Sequence, residues 1–580
     1  FGIQSAIAVQ DGLALGAYFD VAANNNLGPG VIAMQNAANG VALGLAGSTE
    51  NLSEILQLGT QVGSALGVDL PLALAGGGQM QCNGNLGTGF SMQSFGDDAA
   101  VNALVGLEAN GNGGPGVFLG TYSDYLSVGA LARVNASGNL GAGVLFDTYA
   151  LDEAAVGILA DVNASGNGDS GITASVACPD GSAAFVALST DAIRPLAALL
   201  GDTFLDGPIT LPGDPFGPIV TSGNDGNGFS VTVTGDGFAM ALLLDAQADN
   251  NSANGFDVSV TATNGPSIAA LVSSDLLYGL VNDMDVLPEP IEFDPIGRIS
   301  ASGNGSNGVH LVQSGTSGAY GVLVGLDANH NALDGINVSQ ESTYGDTYAI
   351  LVDTDAADNG DDGIDLSLAA AGYAISAMIF PDVDQNGDDG IHVTQTSVNA
   401  DAYALLCGGD AFDNDGVGLW YRLDAANGDA AACVTDTFSD FNGARGAHFA
   451  ITAGDEAALL VGTNALPLFD LEFSGFLGGD VLNFFWDAIP QGGSSFYGNG
   501  AGGLQADLTS TGGNVWLDVD GADASNNTNN GFNVSLTALN GSIFARFSDN
   551  WNNNNGGNGI NVELNGAGGT AGRWFENLRT

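Results

Sequence analysis

The stretch Asp384-Gln-Asn-Gly-Asp-Asp-Gly390-Ile-His-Val393 contains the unit from which the whole chain is built. Its first part is Asp, Asn and Gly, residues that accept left-handed backbone and close turns through their side chains. Its last part alternates, with apolar Ile391 and Val393 on either side of polar His392. Such period-two alternation marks a strand with one buried face. Between turn and strand stands a glycine, Gly390.

A glycine followed by an apolar residue recurs at Gly2, Gly30, Gly89, Gly116, Gly143, Gly171, Gly228, Gly255, Gly308, Gly335, Gly363, Gly390, Gly418, Gly446, Gly503, Gly531 and Gly559. Twelve of the sixteen intervals are 27 or 28 residues, and the others, at 59, 57, 53 and 57, are close to twice the unit. Two positions beyond the first apolar residue, the side chain is again apolar in sixteen of seventeen cases, Ser5 being the exception. A second apolar stretch follows, as in Tyr348-Ala-Ile-Leu-Val352 and Ala402-Tyr-Ala-Leu-Leu406. A unit of this length, with two strands and room for a short third side, is one coil of a parallel β-helix. The reading is therefore all-β: one parallel β-helix over residues 1–580 with about 17 coils. The crossover rule makes it right-handed.

Each double interval holds one coil and an insertion, near 47–82, 189–222, 273–302 and 463–497. The first three open on Ser48-Thr-Glu-Asn, Ser189-Thr-Asp and Ser273-Ser-Asp before apolar runs, which predicts short helices. The fourth carries Phe484, Phe485 and Trp486 and reads either as an aromatic side arm or as a degenerate coil near Gly475. Apolar residues such as Leu276, Leu277, Leu280 and Val281 predict arms packed on the solenoid flank or on a neighbouring subunit.

On this periodicity, from Gly2-Ile3 to Gly559-Ile560, the chain resembles the right-handed parallel β-helix (β-solenoid) repeat proteins of bacterial and archaeal cell surfaces. The resemblance spans essentially all 580 residues. It rests on the repeat alone and implies an extracellular or cell-surface location.

Composition narrows the function. There are 65 acidic and 8 basic residues, a formal charge of −57, and no lysine. That field repels phosphate backbones, so nucleic acid is excluded as a partner. Hydrophobic residues make up 45% and charged ones 13%, which sets the chain apart from a charged disordered tail. No apolar run approaches the roughly 20 residues of a membrane helix. Asp dominance without Lys suits high salt or divalent cations better than the cytosol.

The acidic turns are the main candidate site. Asp327, Asp355, Asp382 and Asp410 each lie eight residues before an anchor, so they should stack in a column. Neighbouring carboxylates about 5 Å apart repel by about 1 kcal/mol even in water. Asp382, Asp384 and Asn386 also open a D-x-D-x-N-G string like a calcium loop, although Val393 stands where its bidentate glutamate belongs. The column reads as a Ca2+ or other hard-cation site, or as turn geometry and solubility alone.

His310, His392 and His448 share the position two after an anchor, with Asn337, Asp365 and Trp420 in the same column. Two coils of separation excludes a shared zinc within the column, which reads as a solvated face. Cys407 and Cys433 precede Asp410 and Asp436 by three residues, which predicts stacked, buried free thiols.

The repeat starts bare at Gly2-Ile3 and runs out after one strand beyond Gly559. Either the chain is a fragment of something longer or another copy covers its ends. Phe1, Ile3, Arg573, Trp574, Phe575 and Arg579 are the expected head-to-tail interface, the last four docking on an acidic neighbour or plugging their own coil. The function expected is a building block of a surface filament, sheath or layer formed by self-association. A cation-dependent adhesin stalk that binds a surface glycan or receptor is the alternative. A polysaccharide lyase or hydrolase is the remote one, because lysine is absent and the arginines are scattered.

Overall fold

A computed structural model of the chain describes residues 2–49, 79–189, 219–274, 299–462 and 493–579. These form an all-β parallel solenoid of about 16 turns, close to the seventeen coils counted in the sequence. No helix runs through the described residues. The insertion helices, the packing of the arms, the aromatic stretch from 463 and Phe1 all lie outside them. The chain divides into two compact units, Phe1–Ser306 and Asn307–Thr580.

In the second unit, one coil runs from the anchor Gly363 into strand Ile364–Ala370, turns into strand Ala374–Ile379, and pairs once more at Asp382. Ile364 stands opposite Ile391, Ile391 opposite Leu419, and Leu419 opposite Ala447. The first unit repeats the scheme, with Val117, Val144, Ile172 and Phe229 in one column. All these pairings are parallel. Ile364, Leu366 and Leu368 point inward and are fully buried, each worth about 1.5–3 kcal/mol. Slipping one residue would turn that set outward, so the alternation itself holds the register.

Four residues before each anchor from Gly30 onward stands an asparagine, and these form a second, side-chain ladder. In the first unit Nδ2 of Asn85 donates to Oδ1 of Asn112 (3.0 Å), Asn112 to Asn139 (2.9 Å) and Asn139 to Asn167 (3.1 Å). In the second, Asn359 donates to Asn386 (3.1 Å), Asn386 to Asn414 (2.9 Å) and Asn414 to Asn442 (3.0 Å). Each rung also receives the backbone N–H of the asparagine before it, as Asn386 does from Asn359 at 3.0 Å. Buried amides must find partners, and here each satisfies the next.

The ladder explains the anchor. A Cβ on Gly363 would lie 2.6 Å from the Gly390 carbonyl oxygen and 2.7 Å from Asn386 Nδ2. Just before each asparagine the backbone is left-handed. Glycine supplies this at Gly84, Gly111 and Gly138, whereas His330, Gln385 and Phe441 adopt φ of 58°, 59° and 58°. Such side chains are uncommon there and are held by the ladder on one side and the turn on the other.

The insertions leave from equivalent points, and aspartates in the preceding coil meet them. Asp20 accepts from the Thr49 N–H (2.8 Å) and hydroxyl (2.7 Å), and Asp245 accepts from the Ser274 N–H (2.7 Å). Both aspartates have positive φ, at 51°.

The second strands of the second unit depart from simple alternation. Every residue of Ala374–Ile379, Ala402–Cys407 and Ala430–Thr435 is buried. The outward side chains Tyr348, Ile375, Tyr403, Leu405, Cys407, Cys433 and Leu460 form an apolar cluster of their own. The two cysteines are free and buried, but they do not stack as expected. Cys407 stands opposite Thr435, and Cys433 opposite Leu405. They are 26 residues apart in coils that advance by 28, as the Asp382–Asp410 and Asp410–Phe438 pairs show. Burial raises both thiols, Cys407 well above its ordinary value.

Candidate cation-binding site

The predicted aspartate column is in register. Asp327 pairs with Asp355, Asp355 with Asp382 and Asp382 with Asp410, and the column ends where Asp410 meets Phe438. Asp384 joins it through a hydrogen bond to Asp382. Burial raises Asp382 and Asp410, and Asp410 adds to the effect on Asp382. Burial pushes Asp384 up to about 6, although the Phe412 N–H donates to it at 2.6 Å.

Asn386 does not belong with these groups. It is buried, its Nδ2 donates to Asn414, and its Oδ1 already accepts twice from Asn359. The D-x-D-x-N-G string is thus a left-handed turn followed by a ladder rung, with Gln385 supplying the turn. No lone pair of the Asn386 carbonyl is left to meet a cation.

Carboxylates converge more closely at the corner around the anchors Gly363 and Gly390. Residues just before an anchor lie beside the residue two after it, and the coils stack these positions. Asp361, Asp362 and Asp388 bring carboxylate oxygens within 4.8 Å of one another, and so do Asp362 and Asp365 with a ring nitrogen of His392. Ligands of one hard cation at 2.3–2.6 Å fall within that spread. The first triad is all oxygen and suits calcium or magnesium, whereas the second adds an imidazole and suits a transition metal.

The corner is tightly wired. Asp362 Oδ1 accepts the Asp389 N–H at 2.8 Å, and Oδ2 stands 3.4 Å from His392 Nδ1. Asn337 Nδ2 bridges Asp334 (2.8 Å) and Asp365 (3.0 Å). Burial pushes Asp365 and Asp389 up to about 6 and raises Asp334 and Asp388. The hydrogen bond that His392 donates to Asp362 raises His392. Carboxylates held this way favour a bound proton or a bound cation.

The histidine column is in register, running His310, Asn337, Asp365, His392, Trp420, His448. His392 packs edge-on against Trp420 at 4.3 Å, and His448 pairs with Asp507 at 3.2 Å. Reading the column by itself overlooked His392's role at the corner, because its partner Asp362 belongs to the turn. Asp-Asp before successive anchors, at 361–362 and 388–389, was the signal that could have found it.

Beyond Gly559 the chain forms a second strand, where the repeat was expected to run out after one. Arg573, Trp574 and Phe575 lie in a second strand, Ala571–Glu576, paired in register with Ile543–Ser548, and Arg579 bridges to Trp551. They complete their own coil. Phe575 stacks on Phe547 at 5.5 Å, and the Arg579 guanidinium lies over the Trp551 ring at 5.6 Å. Trp574 is 63% exposed and Ile3 42%.

No family model and no curated protein matches the chain.

Proposed function

We propose that this chain is a structural building block of an extracellular surface filament, sheath or layer, of the kind bacterial and archaeal cells carry. Calcium at the acidic corners reconciles its charge with close packing of copies. The observation that carries the reading is the lengthwise bonding within each unit. Parallel strands and the asparagine ladder both commit their hydrogen bonds to the next coil. A fold bonded this way resists extension along the stack. The all-oxygen triad Asp361, Asp362 and Asp388 supports calcium as the cation. The reading includes no catalytic step.

Electron microscopy of the purified full chain tests it, in millimolar calcium and in excess chelator at fixed ionic strength. Fibres or sheets in calcium that disperse in chelator are expected. Single particles at every calcium level would overturn the reading and favour the adhesin stalk instead.

A further inference from the structure

The outer face of the second strands changes character in the last coils of the second unit. Except for the partly buried Ala458, the outward side chains from Ile375 to Leu460 are buried. Beyond it lies an apolar groove of about 470 Å³, lined by Leu460, Trp516, Phe544, Arg546 and Trp574 among others. Two outward columns build it. One reads Ala458, Trp516, Phe544, Gly572, and the other Leu460, Asp518, Arg546, Trp574.

In the first column the Trp516 and Phe544 rings stack at 4.4 Å, 18° from parallel. The next place in that stack is Gly572, where an added Cβ would meet nothing within 4 Å. No side chain at the Gly572 position covers the far face of the Phe544 ring, which is 38% exposed. In the second column, Arg546 Nε donates to Asp518 Oδ1 at 2.8 Å, both side chains being partly exposed beside the aromatic pair.

We propose that this groove is a binding subsite for a neutral saccharide, one pyranose ring stacking on Phe544 over Gly572. The uncovered aromatic face suits a ring with an apolar face of its own, and a pyranose has one formed by its C–H bonds. Its edge carries hydroxyls, which the Asp518 carboxylate accepts and the Arg546 guanidinium donates to. A few polar groups on an apolar, concave floor are the usual make-up of a small-ligand site. The chain's charge of −57 turns away uronates and other polyanions. The site is independent of the corner carboxylates and of self-association.

Titration of the full chain with cellopentaose and maltopentaose, followed by tryptophan emission, tests the proposal, with pentagalacturonate as the acidic control. One of the neutral pentamers should shift the emission with a Kd below about 10 mM, and the acidic one should not. Gly572→Leu fills open space, so the fold should persist, and it should weaken binding at least about tenfold. Asp518→Asn should weaken binding while leaving the emission of the free protein unchanged. The proposal is overturned if neither neutral sugar binds, if Gly572→Leu binds like the parent, or if the acidic pentamer binds as well. It is equally overturned if the emission tracks protein concentration instead of sugar, since a second copy would then occupy the groove.

Discussion

Replacing Asn386 with alanine takes one rung from the ladder, and its cost can be worked out bond by bond. The Asn386 N–H still donates to Asn414, but the Nδ2 bond to Asn414 is lost. So are both bonds that Oδ1 accepted from Asn359, at 3.0 and 3.1 Å. The Asn359 N–H and amide are then unpaired in a site only 3% exposed. Each buried donor without a partner costs about 1–3 kcal/mol, so the sum is about 4 kcal/mol. The opening is local to the neighbouring coils, so the Asn359 amide should exchange its hydrogen about 10²–10³ times faster. Exchange mass spectrometry reads that directly, with Asn399→Ala, at an exposed corner, as the control. A loss no larger than that of the control would refute the ladder argument. So would a loss seen only with calcium present, because Asn386 would then be acting as a ligand.

Acidification in chelator should stabilise the fold. Asp365, Asp384 and Asp389 sit near 6 against an ordinary 3.8, so from about pH 4 to 6 the folded chain binds more protons than the unfolded one. Stability then falls as pH rises through that window, by about 1 kcal/mol per group after solvent screening. Melting temperature should rise between pH 7 and 5, less so in Asp365→Asn; a flat profile, or a slope unchanged in that variant, would contradict the assignment. Asp361→Asn with Asp388→Asn should lower calcium affinity at least about tenfold by calorimetry while leaving the fold as stable in chelator. Equal affinity would remove the corner from consideration. The thiols offer a simpler check: burial pushes Cys82 up to about 12 and raises Cys178, Cys407 and Cys433. All four should resist a maleimide at pH 8 in the folded chain and react in denaturant; rapid labelling of Cys407 or Cys433 would show that the outer cluster opens.

The coils were legible because their signal is local and repeated. Apolar residues one and three after all anchors but Gly2 fix a buried face, and the recurrent 27–28 residue spacing fixes the stack. The asparagine four before each anchor was equally visible, yet asparagine suits turns so well that propensity hid its amide's role. Cys407 and Cys433 were misaligned because matching each to its nearest aspartate ignored the coil length. In Ala374-Ile-Ser-Ala-Met-Ile379 the lack of polar alternation was the mark of a strand buried on both faces. The corner was hidden for a geometric reason. Linear spacing gives columns such as Asp361 with Asp388, whereas Asp362 meets His392 by crossing from a turn to a strand in the next coil.

That corner also shows why the acidic residues gather there. The position just before each anchor faces the same position of the next coil, and its side chain can accept that coil's N–H. Asn307 accepts from Asp334 at 3.2 Å, Asp334 from Asp362 at 3.3 Å, Asp362 from Asp389 at 2.8 Å and Asp389 from Val417 at 2.6 Å. These contacts form a third ladder from coil to coil, beside those of the strands and of the asparagines. An amide side chain serves it, as Asn307 shows, but a carboxylate accepts more strongly. The backbone bonds lower the carboxylates' pKa while burial and their acidic neighbours raise it, and the net rise at Asp334 and Asp389 shows that burial dominates. The column of charge is therefore a consequence of tying coils together through acidic acceptors, and a cation at the corner would relieve the repulsion without removing the ties.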